Sequence, residues 1–379
     1  MLVRMRHTFR WILTGLALAT GLLVSPASAV IRVGEYASLT GKEAAFGQSS
    51  HKGTQLAIDE ANAAGGVLGQ QLELVVEDNQ SKPGESVTAV KKLIARDRVV
   101  AVLGEVASGR SLEGASVCQA FKIPMVSPFS TNPKVTQIGD HIFRVCFIDP
   151  FQGSLLARFA KEKLKAGRAA VLTSSQAPYS VGLTKFFTEA YTGLGGTIVA
   201  DLKYAEGDKD FKAQLTSIKA SKPEVIIVTG YYTEAALICR QARQLGIEAP
   251  IMGGDGCDAP ELIQIGGKDV EGFHVSTHFS AENKSPRALA FIQAFQKRHG
   301  VEPDASAALG YDSALVLIDA LRRANSTQAP ALREALANTR DFEAVTGSIT
   351  IDAQRNARKP AVILKVSEGR LRFVETVNP

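Results

Sequence analysis

The feature that most constrains this chain is a repeated alternation between short β-branched runs and longer segments with helical spacing. Several short runs are apolar throughout, which is typical of strands covered on both faces. Such alternation predicts βαβ units, and therefore parallel sheets with helices on both faces. The predicted strands cover residues 31–36, 71–77, 99–103, 124–126, 142–147, 169–173, 196–202, 225–229, 250–252 and 272–277.

The clearest predicted helix covers residues 286–299. Ser285 is a suitable N-cap, Pro286 suits the first turn, and Gly300 suits the stop. By contrast, residues 342–379 carry strand patterns without helices between them. We expect this last stretch to return to the sheets, so that the chain crosses more than once between its halves.

A leader covers residues 1–29. It has a basic start, an apolar run of about 14 residues, and small residues at Ala27-Ser28-Ala29, as a secretory signal does. We expect cleavage after Ala29 and export to the periplasm. The alternative is an uncleaved membrane anchor, but the run is shorter than the ~20 residues that span a bilayer. Export disfavours a nucleotide enzyme, because ATP and NAD are scarce outside the inner membrane.

The remaining chain of about 350 residues is long for one core and suits two lobes. Lysine and arginine total 43 against 38 acidic residues. Three of the arginines lie in the leader. The rest is close to neutral, which argues against a nucleic-acid partner.

The motifs of enzymes and metal sites are missing from the sequence. It has no P-loop, no GxGxxG after the first strand, and no GxSxG elbow, so we predict neither an enzyme nor a bound cofactor. His274 and His278 are four apart on a strand pattern, which disfavours a metal site.

Four cysteines follow the leader, and none is closely spaced with another. Export permits two disulfide bonds, which could form in three possible connectivities. The alternative is that the four cysteines are isolated buried thiols. The cysteines are Cys118, Cys146, Cys239 and Cys257.

Ligands of open α/β sheets bind beyond the carboxyl ends of the strands. In the first half, Ser108 and Thr131 follow strands, and helix starts nearby offer free N–H groups suited to an anion. In the second half, Tyr179, Tyr231 and Asp255 follow strands and suit a cation with an apolar body. Together they predict an amino acid as ligand. Taken singly, each residue also fits a plain cap or turn.

Several segments in this order resemble the Leu/Ile/Val-binding family of periplasmic receptors for ABC transporters. The resemblance covers the whole chain after the leader. The predicted signal peptide agrees with it. Its marks include Ile31–Gly41 (IRVGEYASLTG), Glu77-Asp78-Asn79, Phe143-Arg144, Tyr179-Ser180-Val181-Gly182 and Gly254-Asp255-Gly256.

The resemblance implies two Rossmann-like lobes, each a parallel sheet with helices on both faces, joined by a three-crossing hinge. The first lobe would comprise residues 30–148 plus 278–342. The second would comprise residues 149–277 plus 343–379. The implied function is not catalytic. The protein would act as a monomer that binds an amino acid between closing lobes and delivers it to an inner-membrane ABC permease. Alternatives are a sensing receptor for another small carboxylate, amide or aromatic acid, and an exported α/β enzyme.

The resemblance also implies roles for individual residues. Ser108 and Thr131 would hold the ligand carboxylate. Asp255, together with a backbone carbonyl of Phe129 or Ser130, would hold the ammonium group.

Aromatic residues complete the implied site. Tyr179 and Tyr231 would lie on the closing lobe, and Phe46 stands where some members carry tyrosine. The family acid is often glutamate, so the shorter Asp255 would leave room for an amine further from the carboxylate.

Overall fold

The computed structural model describes residues 30–379 and contains two α/β lobes. The predicted leader lies outside the described residues. Among the helices of residues 30–379, none combines the length and apolarity needed to cross a membrane.

The first lobe begins with five parallel strands in the order β2-β1-β3-β4-β5. Strands and helices alternate along the chain as the hydrophobic pattern predicts. Their bounds are β1 (Ile31–Ala37), α1 (Ala44–Ala63), β2 (Leu72–Asp78), α2 (Glu85–Ala95), β3 (Ala101–Leu103), α3 (Ser108–Phe121), β4 (Met125–Ser127), α4 (Lys134–Gln137) and β5 (Ile142–Arg144).

The second lobe follows with the same alternation. A π-helical segment, Phe159–Lys163, continues its first helix, and a 3₁₀ turn, Asp255–Cys257, follows its fourth strand. The bounds are α5 (Asp149–Arg158), β6 (Arg168–Ser174), α6 (Pro178–Gly193), β7 (Thr197–Tyr204), α7 (Lys212–Ser221), β8 (Val225–Val228), α8 (Tyr232–Gln244), β9 (Ile251–Gly253), α9 (Pro260–Gly266) and β10 (His274–Thr277).

The last part of the chain serves both lobes. Two helices with side-chain caps lead it: Ser285 accepts from the Ala288 N–H, and Asp304 accepts from the Ala307 N–H. The bounds are α10 (Pro286–His299), α11 (Ala305–Ala324), α12 (Ala329–Ala337), β11 (Phe342–Ala344), β12 (Gly347–Ile351), β13 (Ala357–Arg358), β14 (Ala361–Ser367) and β15 (Arg370–Val377).

The five strands of the last part of the chain divide between two sheets. The second lobe has the strand order β15-β14-β10-β9-β8-β6-β7, in which the pairs β10–β14 and β14–β15 are antiparallel and the other pairs are parallel. Strands β11–β13 form a small sheet of their own. The prediction that parallel sheets carry the fold is confirmed, and each of the ten predicted strand segments overlaps a strand.

One predicted boundary differs from the structure. Residues 343–379 are predicted to belong to the second lobe, but the chain rejoins that lobe's sheet only at Ala361. Residues 342–358 stay with the first lobe because the Asp312 carboxylate on α11 accepts the N–H groups of Val345 and Thr346. The other domain limits stay predictions.

Three crossings join the lobes: between β5 and α5, between β10 and α10, and between β13 and β14. The first two touch, because the Phe147 ring stacks on the His278 ring with centroids 3.7 Å apart. The third carries Lys359, a buried amine that donates to the Thr346 hydroxyl. Burial lowers the pKa of Lys359 to about 8.

Asp149 lies immediately after the first crossing. Its backbone N–H donates to the Thr131 carbonyl oxygen of the first lobe at 3.0 Å. Within the described residues, neither oxygen of its buried carboxyl group has a hydrogen-bond partner. Burial raises the pKa of Asp149 to about 8.

Two glycines allow α1 and α11 to pack with their backbones in near contact. A Cβ at Gly53 would lie 1.9 Å from the Ala307 carbonyl oxygen. A Cβ at Gly310 would lie 2.2 Å from the Ser50 carbonyl oxygen. The helix pair therefore tolerates no side chain at either glycine without moving.

We predict that Gly53→Ala lowers the stability of the protein. Alanine normally favours a helix by about 1 kcal/mol over glycine, but overpacking against a backbone oxygen costs about 1–3 kcal/mol. The matched control is Gly193→Ala at the end of α6, where a Cβ meets nothing within 4 Å. Urea unfolding of both variants checks this, and equal midpoints for the two would contradict it.

We also predict a pH-dependent effect of Asp149→Asn. The folded pKa of about 8 exceeds the unfolded value of about 3.9, so the folded state binds the extra proton between these values. The stability that the wild type derives from this proton is therefore lost as pH rises from about 4 to about 8. The variant does not titrate, so its stability relative to wild type should increase from pH 5 to pH 8 in chemical unfolding. A variant of exposed Asp201, Asp201→Asn, serves as control and should follow the wild type.

Candidate ligand-binding site

A narrow cavity lies between the two lobes, at the carboxyl ends of their strands. The space in it that the centre of a water-sized sphere can occupy is about 10 Å³. Seven of the eight residues predicted for the site line it. The complete lining is Phe46, Val106, Ser108, Phe129, Thr131, Tyr179, Tyr231, Asp255 and Gly256.

The first lobe contributes a polar wall. Ser108 is the first residue of α3, and its hydroxyl oxygen accepts the Asn132 N–H at 3.3 Å. The first N–H groups of a helix have no partner within the helix and carry partial positive charge. With the Thr131 hydroxyl beside it, this wall suits an anionic group.

Ser130, the eighth predicted residue, does not line the cavity. It is fully buried. Its carbonyl oxygen accepts from the Arg144 guanidinium, and its hydroxyl contacts the carbonyl oxygens of Glu105 and Val106. Of the two residues whose backbone carbonyl is predicted to contact the ligand, Phe129 lines the cavity and Ser130 does not.

Aromatic rings from both lobes form the apolar walls. Phe46 contacts Phe129 with centroids 6.2 Å apart, and it meets Tyr231 of the second lobe edge-on at 6.0 Å. Tyr231 in turn stacks on Tyr179 at 5.5 Å. The Tyr179 hydroxyl accepts the Gly256 N–H at 3.1 Å, which fixes the loop that carries Asp255.

Asp255 supplies the negative charge of the site. It opens the 3₁₀ turn after β9 and is 1% exposed. The Gln152 side-chain amide donates to its Oδ1 at 3.0 Å, and His278 Nε2 bonds to its Oδ2 at 3.1 Å. A buried carboxylate needs such partners, because an unpaired charge in the interior is costly.

Gln152 and His278 are site residues that the sequence pattern does not predict. His278 directly follows β10, where ligand contacts are expected, but its spacing from His274 bears only on a metal site. Gln152 lies within α5 and gives no local signal. Among the described residues, no group of acidic, histidine and cysteine side chains is arranged to hold a metal ion.

All four cysteines are buried with free thiols. Cys146 lies near the site, where its thiol contacts the Ser130 carbonyl oxygen. Burial raises the pKa of Cys146 to about 12, which keeps it a thiol.

Three polar contacts hold the lobes together around the cavity. Lys42 pairs with Glu206 across the cleft at 2.5 Å. The Tyr232 hydroxyl donates to the Lys42 carbonyl oxygen at 2.8 Å, and the Asn132 amide donates to the Pro178 carbonyl oxygen at 2.8 Å. Tyr232 also packs edge-on against Phe46 at 4.9 Å. The structure therefore represents the closed arrangement of the two lobes.

Known proteins resemble this chain over most of its length. Residues 30–370 match the family model described as periplasmic binding protein. The Leu/Ile/Val-binding protein homolog 3 of Brucella melitensis is 31% identical over 93% of this chain and 96% of its own length. BraC3, a Leu/Ile/Val-binding protein of Rhizobium johnstonii, is 32% identical over 88% of this chain and 90% of its own.

Two solved structures superpose closely. The leucine-binding protein LivK of Thermotoga maritima has a TM-score of 0.89 and 42% identity, covering 92% of this chain and 99% of that one. The branched-chain amino acid substrate-binding protein LivJ of Streptococcus pneumoniae, in complex with isoleucine, has a TM-score of 0.88 and 35% identity. It covers 93% of this chain and 100% of its own. This chain therefore belongs to the periplasmic binding protein family, among its Leu/Ile/Val-binding members.

Proposed function

We propose that the protein is the periplasmic receptor of an ABC importer, and that it binds an amino acid between its two closing lobes. The observation that carries the proposal is the opposition of two poles across one cavity. Ser108 and the start of α3 form a pole for a carboxylate, and Asp255 forms a pole for an ammonium group. The two poles belong to different lobes. A ligand that carries a carboxylate and an ammonium group therefore holds the lobes together.

The walls of the cavity support an apolar ligand side chain. Phe46, Phe129 and Tyr231 enclose the space between the poles. The pneumococcal relative holds isoleucine, a ligand of the same charge pattern. We therefore place branched-chain and related aliphatic amino acids first among the ligand candidates.

Transport follows from closure in this proposal. The ligand binds the first lobe, the second lobe closes over it, and the closed form docks on an inner-membrane permease. The family assignment supports the permease as partner. A receptor that signals the presence of another small carboxylate, amide or aromatic acid is the alternative, and the buried Asp255 disfavours ligands without a cationic group.

A ligand screen tests the proposal directly. The purified protein is heated with each amino acid, 4-aminobutyrate and benzoate in turn. A ligand at 100 times its dissociation constant stabilises the folded state by about 2.7 kcal/mol. Aliphatic amino acids should give the largest shifts. Stabilisation by benzoate alone would favour the alternative.

We predict that Asp255→Ala abolishes detectable amino-acid binding. Leaving a buried ammonium group unpaired costs about 2–5 kcal/mol by analogy with buried charge pairs at interfaces. The control is Asp201→Ala, which removes an exposed carboxylate from an edge strand of the same lobe. Titration calorimetry measures both variants. Unchanged affinity in Asp255→Ala would show that the ammonium pole lies elsewhere.

We further predict that Tyr232→Phe weakens binding about 2- to 10-fold, because it removes one net hydrogen bond of about 0.5–1.5 kcal/mol from the closed form. The ring and its contact with Phe46 remain. The matched control is Tyr191→Phe, which removes a hydroxyl bonded to the Ala166 carbonyl oxygen within one lobe. It should leave affinity unchanged. A similar loss of affinity in both variants would show that the Tyr232 hydroxyl has no specific role in stabilising the closed form.

A further inference from the structure

The Asp255 carboxylate is bonded at both oxygens by side chains of its own surroundings. Gln152 Nε2 donates to Oδ1 at 3.0 Å and also lies 3.0 Å from the Ser276 hydroxyl, which orients the amide. His278 Nε2 lies 3.1 Å from Oδ2. Each carboxylate oxygen keeps further lone pairs, and Asp255 itself borders the cavity.

The protonation of His278 follows from its partner. A carboxylate only accepts hydrogen bonds, so Nε2 must carry the proton. Burial lowers the pKa of His278 to about 4, against the opposing effect of Asp255. The ring is therefore neutral near pH 7, and its buried Nδ1 has no hydrogen-bond partner among the described residues.

Packing fixes the plane of the His278 ring. Phe147 stacks on one face, with centroids 3.7 Å apart and planes inclined by 23°. Phe129 meets the ring edge-on at 4.9 Å. His278 is fully buried and lies in the second crossing between the lobes. The direction of its N–H bond is thus set by neighbours that belong to the hinge and to the first lobe.

We infer that His278 is a positioning residue that aims the Asp255 carboxylate into the cavity and thereby makes the receptor select ligands with an ammonium group. The inference rests on the proposed function. Because the imidazole is neutral, it orients the carboxylate without cancelling its charge. A ligand that lacks the ammonium group would leave this charge buried and uncompensated.

Two variants separate hydrogen bonding from packing. His278→Phe keeps a flat ring between Phe147 and Phe129 but removes the donor. His278→Gln removes the ring but keeps a side-chain N–H that can reach Asp255. Calorimetry with L-leucine, and displacement of L-leucine by 4-methylpentanoate, then report selectivity. The second compound is leucine without its amino group, so it cannot form an ion pair with Asp255.

We expect His278→Phe to bind L-leucine about 10- to 100-fold more weakly, the range for a lost hydrogen bond to a charged group. Its affinity for 4-methylpentanoate should stay within about 3-fold of wild type, so that selectivity for the amino compound falls. His278→Gln should recover most of the affinity for L-leucine.

Two results would overturn the inference while leaving the proposed function intact. In the first, Asp255→Ala loses L-leucine but His278→Phe retains it. In the second, His278→Phe loses both compounds equally and His278→Gln restores neither, which marks a purely structural residue. Failure of the proposed function looks different, because the wild type would then bind no amino acid or Asp255→Ala would bind L-leucine normally.

Discussion

The structure depends on one constraint of parallel sheets: all their strands end at the same edge. The five strands of the first lobe and strands β6–β10 of the second are parallel, and the two sheets turn these edges toward each other. Loops after the strands therefore meet in one place. Helix α3 starts there from one side and the 3₁₀ turn with Asp255 from the other. The partial positive charge of a helix start and the Asp255 carboxylate consequently face each other without any long insertion in the chain.

Asp255 and Arg144, two buried charged groups near the site, are bonded by neutral groups and not by counter-ions. The Asp255 carboxylate is bonded by an amide and a neutral imidazole. The buried Arg144 guanidinium donates to the carbonyl oxygens of Ser130 and Asn132. Neither arrangement neutralises the charged group. The negative charge of Asp255 therefore remains available to pair with a ligand. Arg144 also fixes the loop that carries Thr131. This buried cation therefore has a positioning role.

Strand positions and most of the cavity lining could be predicted from the sequence, because both depend on local patterns. Apolar runs mark strands, and residues such as Ser108 and Asp255 stand directly after them. Gln152 could not be found this way, since it points from a helix interior to a turn about 100 residues away. The exclusion of Ser130 also depends on tertiary contacts with Arg144. Likewise, the attachment of residues 342–358 to Asp312 involves a partner with no signature in the segment itself.

The close contact of α1 with α11 sets an order on assembly. Gly53 and Ala307 are neighbours in space but about 250 positions apart in sequence. The first lobe therefore cannot complete its core from the first 144 residues, because one of its helical layers is encoded near the other end of the chain. Closing so long a loop delays folding. A partly synthesised chain thus remains without a finished first lobe until α11 is present.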